Sequence, residues 1–467
     1  MQPATLDVQA FINQHPFSRL QWRILLLCFL VVAVDGLNTA SVGFIAPALA
    51  AHWHVSKAAL APVMSAALFG LAIGALTAGP MADRYGRKSV IVVSVLTFGL
   101  SSLFASQAGS LSEMVALRFV AGLGLGAAMP NTSTLMTEYS PMSRRSLFGT
   151  LMLCGFTLGS ASAGFLSSLL IPAFGWRSVL LAGGILPTVL SIVLIVLLPE
   201  SARFLVVQRA PAARIAAILR KIAPLAKLDD VIFCVPEGTQ NGRSSVRALF
   251  APQYSLGTLL LWMTNFFGQV VVYLLTGWLP TLMRDAGIPI ESAALVTAMF
   301  MFGGTFGAVF LGWLMDRTNR YLVIAVSYGT AVAFIVPIGS HQDGLVLLKA
   351  LVFGAGFAMG AQAALSVLAS QLYETPCRAT GVSWMLGIGR LGGIVGASIG
   401  GVLLTAGWDF RLIFTSLAAP TALAAAAIGA MGIYVGKLAA PVAKTGAAAV
   451  QGETTRRQSW SGQRDNG

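Results

Sequence analysis

Long runs without a single Asp, Glu, Lys or Arg dominate this chain. Nine of them reach spanning length: 58–82, 89–112, 146–176, 178–199, 248–283, 292–315, 321–342, 350–373 and 412–436. Three more do so when one internal charge is allowed: 24–56 with Asp35, 114–137 with Arg118 and 379–408 with Arg390. A helix needs about 20 mostly apolar residues to cross a hydrocarbon core of about 30 Å. Barrel strands are about 10 residues long and alternate polar with apolar positions, which these runs do not. The pattern predicts an all-α membrane protein with twelve transmembrane helices.

Composition agrees. Of 467 residues, 56% are hydrophobic and only 10% charged, with a mean hydropathy of +0.79. A soluble domain carries roughly 25% charged residues, so a soluble protein of this size is excluded. Cys28, Cys154, Cys234 and Cys377 are scattered without a CxxC, so neither a disulfide framework nor a metal site is indicated.

The net charge of +13 raises the question of nucleic acid, and its placement answers it. With a cytoplasmic N-terminus, 23 of the 30 basic residues fall in the N-terminal segment, the inner loops, the central loop and the tail. That is the positive-inside bias, with both termini cytoplasmic. The basic charge orients the chain in a lipid bilayer, and no nucleic-acid partner is needed. Met1 to Arg23 lacks a small-residue cleavage site before the first apolar run, so that run reads as a retained helix.

The chain also repeats itself. Gly79-Pro-Met-Ala-Asp83-Arg84-Tyr-Gly-Arg87 returns as Gly312-Trp-Leu-Met-Asp316-Arg317-Thr-Asn-Arg320, an offset of 233 shared by Pro47 and Pro280. Pro141 before Arg145 is echoed by Pro376 before Arg378. An offset of six helices means two pseudo-symmetric six-helix bundles, whereas solenoid repeats run about 20–50 residues. The expected organisation is a cytoplasmic segment 1–20, bundles 21–199 and 256–438, a central loop 200–255 and a disordered tail 439–467. Within the loop, Arg203 to Lys227 has the spacing of a basic helix lying at the membrane surface. Two parallel six-helix halves form a transporter architecture in which the halves rock about a site near the midplane.

The Gly-x-x-x-Asp-Arg-x-Gly-Arg-Lys string at 79–88, its copy at 312–320 and Pro199-Glu200-Ser201 resemble the marks of the major facilitator superfamily over residues 20–436. Glycines 79 and 86 suit a tight turn and close helix approach. Asp83 suits the amides of a helix N-terminus in the opposite half, and Arg84 and Arg87 suit Glu138 at the end of helix 4. With Arg145, Asp316, Arg317, Arg320 and Arg378 these residues are expected to latch one state of a transport cycle. The alternative for the arginines is topology alone, but topology rules largely ignore acids such as Asp83 and Asp316.

The intramembrane charges come next. Asp35 costs at least ~2.5–3.5 kcal/mol near the middle of helix 1, so it faces a cavity or a partner. It is the candidate proton carrier, the alternative being a structural carboxylate, and Asn38 and Thr39 extend its polar face. Arg390, set among Gly387, Gly389, Gly392 and Gly393, is the candidate grip on an anionic substrate, since guanidinium pairs bidentately with carboxylates. A standing ion pair with an acid is its alternative. Arg118 suits either substrate access or anchoring. Asn265, Gln269 and Tyr273 stripe helix 7 and suit either a ligand or interhelical hydrogen bonds, as do Gln362 and Asn131.

Asp35-Gly36-Leu37-Asn38-Thr39 followed by Gly43-Phe44-Ile45-Ala46-Pro47 is similar to helix 1 of the aromatic acid:proton symporters. So are Arg118 with Gly122, Gly124, Gly126, Pro130 and Asn131, then Glu138-Tyr139, and Gly387-Ile-Gly389-Arg390. The resemblance implies the major facilitator fold and import of benzoate-like or hydroxybenzoate-like anions with protons across a bacterial inner membrane. It implies roles for Asp35, Arg118, Glu138 and Arg390, no cofactor beyond the coupling proton, and a monomer. The family's pattern is Asp-Gly-x-Asp, and this chain departs from it at Asn38. Rival readings are a drug/proton antiporter, a sugar porter and a non-transporting receptor. Span 5 lacks the antiporters' Gly-Pro pair, the intramembrane charges favour an anion over a sugar, and the repeated loop string favours moving halves over a receptor. No nucleophile–base set, metal spacing or phosphate loop supports an enzyme.

Overall fold

The computed structural model describes residues 4–226, 228, 231–234, 246–252, 254–315, 317–340, 344–373 and 375–435. Among them twelve helices are long and apolar enough to cross a membrane. Spans 1 to 6 are Arg19–Trp53, Ala58–Tyr85, Arg87–Ala105, Leu111–Tyr139, Leu147–Phe174 and Trp176–Leu197. Spans 7 to 12 are Ser255–Asp285, Ile290–Met315, Arg320–Ile338, Leu345–Ala369, Thr380–Thr405 and Phe410–Val435.

Local chemistry sets the ends. Ser18 and Gln21 close a capping box on span 1, with Ser18 N donating to Gln21 Oε1 at 2.8 Å. Asp409 caps span 12 through the Leu412 amide at 2.7 Å. Gly86 turns span 2 into span 3 at φ 91°, a conformation open to glycine. Gly79 has no such duty, because a Cβ added there meets no heavy atom within 4 Å.

The duplication reappears as packing. Spans 2 and 4 approach backbone to backbone at Gly70 and Gly122, and spans 8 and 10 do the same at Gly303 and Gly356. Spans 1 and 5 meet at Gly36 and Gly159, and spans 7 and 11 at Gly392 and Gly396. Small residues let membrane helices come this close, where van der Waals contact replaces the missing hydrophobic drive. The halves meet at the face away from the N-terminal segment. There Gly43 lies against the Thr276 carbonyl and Gly401 against Ala61 Cβ. Spans 5 and 8 also join the halves, with the Phe165 and Phe302 rings 5.4 Å apart.

The opposite, basic face carries a layer that the hydropathy pattern does not announce. Strand β1 (Ala4–Asp7) pairs in parallel with β2 (Val231–Cys234), more than 200 residues later. The helix Val8–Gln14 follows β1 and buries Val8, Phe11 and Ile12 in one cluster with Ile215, Leu219, Ile222 and Phe233. Asn13 Oδ1 accepts from the Met142 amide at 2.9 Å, and Gln21 Nε2 donates to Tyr139 O at 2.7 Å. The N-terminal segment is thereby tied to the span 4–5 turn. The single basic surface helix expected over 203–227 is two short helices, Ala202–Val207 and Ala212–Leu219. Arg209 at φ 52° and Pro211 break it, and its apolar side packs on this layer. The tail 439–467 lies outside the described residues.

Candidate functional site

Where the halves meet, spans 1, 2 and 5 face spans 7, 8 and 11 across a cavity of about 150 Å³. Its walls are mostly apolar, with Val42, Met64, Leu68, Phe156, Val272, Met301 and Ala397. Its polar lining is Thr39, Ser160, Gln269, Tyr273 and Thr276. Few polar groups converging in an apolar recess between helices is the usual build of a ligand site.

Asp35 is 2% exposed, and its Oδ1 accepts from Thr39 Oγ1 at 3.3 Å. Asp35 lies one turn before Thr39 on span 1 and Arg390 two turns before Ala397 on span 11. Each charge thus sits on the side of its span that turns to the cavity, below the residues that line it, and the Tyr273 ring packs against Gly393 beside Arg390. Arg390 is half-buried and, among the described residues, makes no hydrogen bond and no ion pair within 4.0 Å. The expected alternative of a standing Asp35–Arg390 ion pair is therefore not what the structure contains. A half-buried guanidinium with all its donors open is a receptor for an oxyanion.

Among the candidates, Thr39, Gln269 and Tyr273 line the cavity, while others sit elsewhere. Asn38 is fully enclosed in the first half, where its Nδ2 donates to Ser102 Oγ at 2.6 Å and Gly183 O at 3.1 Å. Its Oδ1 accepts from Arg118 Nη1 at 3.1 Å. Arg118 is 1% exposed, so it neither snorkels nor lines the cavity, and its Nε and Nη2 have no partner. Asn131 back-bonds to Ala127 O at 2.8 Å. Asn265 donates to Met385 O at 2.7 Å and accepts from Gln362 Nε2 at 2.8 Å, while Tyr328 donates to Gln362. These correct the expectation of substrate contact at Asn38, Arg118, Asn131, Asn265 and Gln362. Asn38, Asn265 and Gln362 bond neighbouring helices, Asn131 bonds its own, and Arg118 bonds Asn38.

Of the residues expected to form a latch, Asp83, Arg87 and Glu138 group together within the first half. Arg87 Nη2 lies 3.1 Å from Asp83 Oδ1 and Arg87 Nε 3.6 Å from Glu138 Oε1, and Nη1 donates to Ala82 O at 3.0 Å. Glu200 Oε1 accepts from the Lys88 amide at 3.1 Å, and Tyr139 Oη donates to Glu200 O at 2.6 Å. The expected partner of Asp83 was a helix N-terminus in the other half; its observed partner is Arg87, one turn away. Asp83 is largely exposed, and exposed charges form the nearest cheap pair. Arg84 lies over the Tyr85 ring, and Arg317 over the Trp313 ring at 4.2 Å. Arg145 leaves Nε without a partner. Arg320 lines a second cavity of about 430 Å³ between spans 5, 8, 9 and 10. Asp316 and the Arg378 side chain lie outside the described residues.

Met64, Phe156, Ser160, Thr276 and Met301 line the first cavity without having been singled out. Apolar residues there are of the same types as those packing the bundles or facing lipid. Ser160 and Thr276 carried only the weak signal of a hydroxyl near a glycine.

The family model described as Major Facilitator Superfamily matches residues 28–375 and again 261–462. The chain is 53% identical to the 4-hydroxybenzoate transporter PcaK of Pseudomonas aeruginosa over 91% of its length and 95% of that protein. It is 50% identical to the gallate transporter of Pseudomonas putida, over 92% and 96% respectively. Its fold is that of the inward-open xylose transporter XylE from E. coli, with a TM-score of 0.69 at 18% identity, covering 87% of this chain and 94% of the other. The chain therefore belongs to the major facilitator superfamily, in the branch that holds these aromatic acid carriers, and it is a multi-pass membrane transporter and not an enzyme.

Proposed function

We propose that this protein imports single-ring aromatic carboxylates of the hydroxybenzoate type together with protons across a bacterial inner membrane. Its basic face is then cytoplasmic, with both termini inside, and it works as a monomer in the bilayer. One observation carries the reading. A half-buried Arg390 guanidinium with no protein partner among the described residues lies two turns from Ala397, and Asp35 one turn from Thr39, both of which line an apolar cavity of about 150 Å³ between the halves. A dry, apolar cavity of about that volume holds one benzene ring. The relatives named for 4-hydroxybenzoate and gallate support the same class.

The chemistry follows from charge. The carboxylate pairs with Arg390, and its ring takes the place of water against Phe156, Met64 and Met301. A proton on Asp35 neutralises the second buried charge, and the loaded site then carries less net charge through the low-dielectric midplane. Rocking of the halves opens the contacts at Gly43 and Gly401 on one side and the opposing face on the other. Arg87, Asp83 and Glu138 brace the loop between spans 2 and 3 during that movement.

The test is uptake of labelled 4-hydroxybenzoate into proteoliposomes with and without an inward proton gradient. Accumulation driven by the gradient in the natural protein, and its loss in Asp35→Asn, is the expected result. Uptake indifferent to the gradient removes the proton from the mechanism. No uptake of 4-hydroxybenzoate or benzoate under any gradient removes the substrate class.

A further inference from the structure

Three of the hydroxyl groups lining the cavity have already committed their protons. Thr39 Oγ1 donates to Asp35 Oδ1 at 3.3 Å, Ser160 Oγ to Gly36 O at 3.1 Å and Thr276 Oγ1 to Val272 O at 2.9 Å. A hydroxyl has one proton and two lone pairs. Toward a ligand, these three groups therefore only accept. A carboxylate also only accepts, so it finds nothing at these three and turns to the donors, Arg390 foremost. A ring hydroxyl has a proton to give.

Their heights differ. Thr39 bonds Asp35 itself and Ser160 bonds the neighbouring Gly36, so both belong to the charged end of the cavity. Thr276 lies beside Gly43, eight residues beyond Asp35 on span 1, or about 12 Å along the helix axis. On its own helix it is one turn beyond Tyr273, whose ring packs against Gly393, three residues from Arg390. An aromatic acid held at Arg390 by its carboxylate would then point its para position toward Thr276, at the far end of the cavity that Val42, Leu68 and Met301 also line.

We infer that Thr276 Oγ1 accepts a hydrogen bond from a ring hydroxyl para to the carboxylate, which makes Thr276 the residue that separates hydroxylated from unsubstituted benzoates. The inference rests on the aromatic-carboxylate reading above and adds to it the place where the substituent is read. Val in place of Thr keeps the shape and removes the acceptor. Thr276→Ser keeps the acceptor. The backbone carbonyl of Thr276, which meets Gly43, is unchanged in both.

The experiment measures KM for 4-hydroxybenzoate and for benzoate in proteoliposomes of the natural protein, Thr276→Val and Thr276→Ser. One neutral hydrogen bond predicts a rise of about fivefold to tenfold in the 4-hydroxybenzoate KM of Thr276→Val, a benzoate KM within about twofold, and recovery in Thr276→Ser. Equal changes for both acids, or none for either, overturn the role of Thr276 while leaving the aromatic-carboxylate reading intact. Failure of the natural protein to carry either acid overturns both.

Discussion

Arg118 and Arg390 are both arginines deep in spans with no carboxylate bonded to them, yet the structure treats them differently. Arg118 is sealed inside the first bundle and anchored through Asn38, which in turn holds spans 3 and 6 through Ser102 and Gly183. Arg390 lies on span 11 two turns before Ala397, which lines the cavity at the seam of the bundles, and it is half-buried and without a hydrogen bond among the described residues. The difference is one of address. A charge enclosed by one rigid body fixes that body, whereas a charge at the seam between two bodies is available to whatever enters the seam. The same contrast separates Asn265 and Gln362, bonded within the second bundle, from Gln269 and Tyr273, one and two turns beyond Asn265, which face the cavity.

The sharpest way to break the contrast is to remove each charge. Arg390→Met should weaken 4-hydroxybenzoate binding by about 30-fold or more, since truncating one partner of a desolvated charge pair costs about 2–5 kcal/mol. Binding titration of the purified protein reads this directly. Next in size is Gly43→Val at the seam. Its side chain would run into the Thr276 carbonyl, and overpacking of about 1–3 kcal/mol should shift the halves about 5- to 150-fold away from closure on that side. Accessibility of a cysteine introduced near Ala61 checks it. Asp35→Asn should abolish gradient-driven accumulation yet leave substrate exchange across the membrane within a few-fold, a split that separates proton coupling from binding. The smallest effect is expected at Arg118→Met. Substrate affinity should stay within about threefold, because the lost contacts are to Asn38 and lie off the cavity. A loss as large as at Arg390 would erase the distinction between the two addresses.

Much of the fold was legible because lipid imposes it. Twelve charge-poor runs became twelve spans, and the repeated Gly-to-Arg loop string foretold equivalent helix pairs that pack at equivalent glycines. Asp35 and Arg390 stood out because charge inside a span is rare and needs a reason. Polar uncharged residues were harder to place. Asn38, Asn131, Asn265 and Gln362 have the same helical spacing whether they meet a ligand or a neighbouring helix, and only the rotation of each helix decides. The apolar cavity wall was illegible for a related reason, since Phe156 or Met301 reads the same against lipid, core or substrate. The β1–β2 pair joins four residues at each end of a separation of 227, too short and too distant for any periodicity to signal.

The central claim is that the seam arginine, and not the enclosed one, holds the substrate. Isothermal titration of 4-hydroxybenzoate into purified Arg390→Met and Arg118→Met, both first shown to be folded, tests it in one experiment. The account predicts binding weaker by about 30-fold or more in the first and within about threefold of natural in the second. Retained binding in Arg390→Met with loss in Arg118→Met would contradict it and move the substrate into the first bundle.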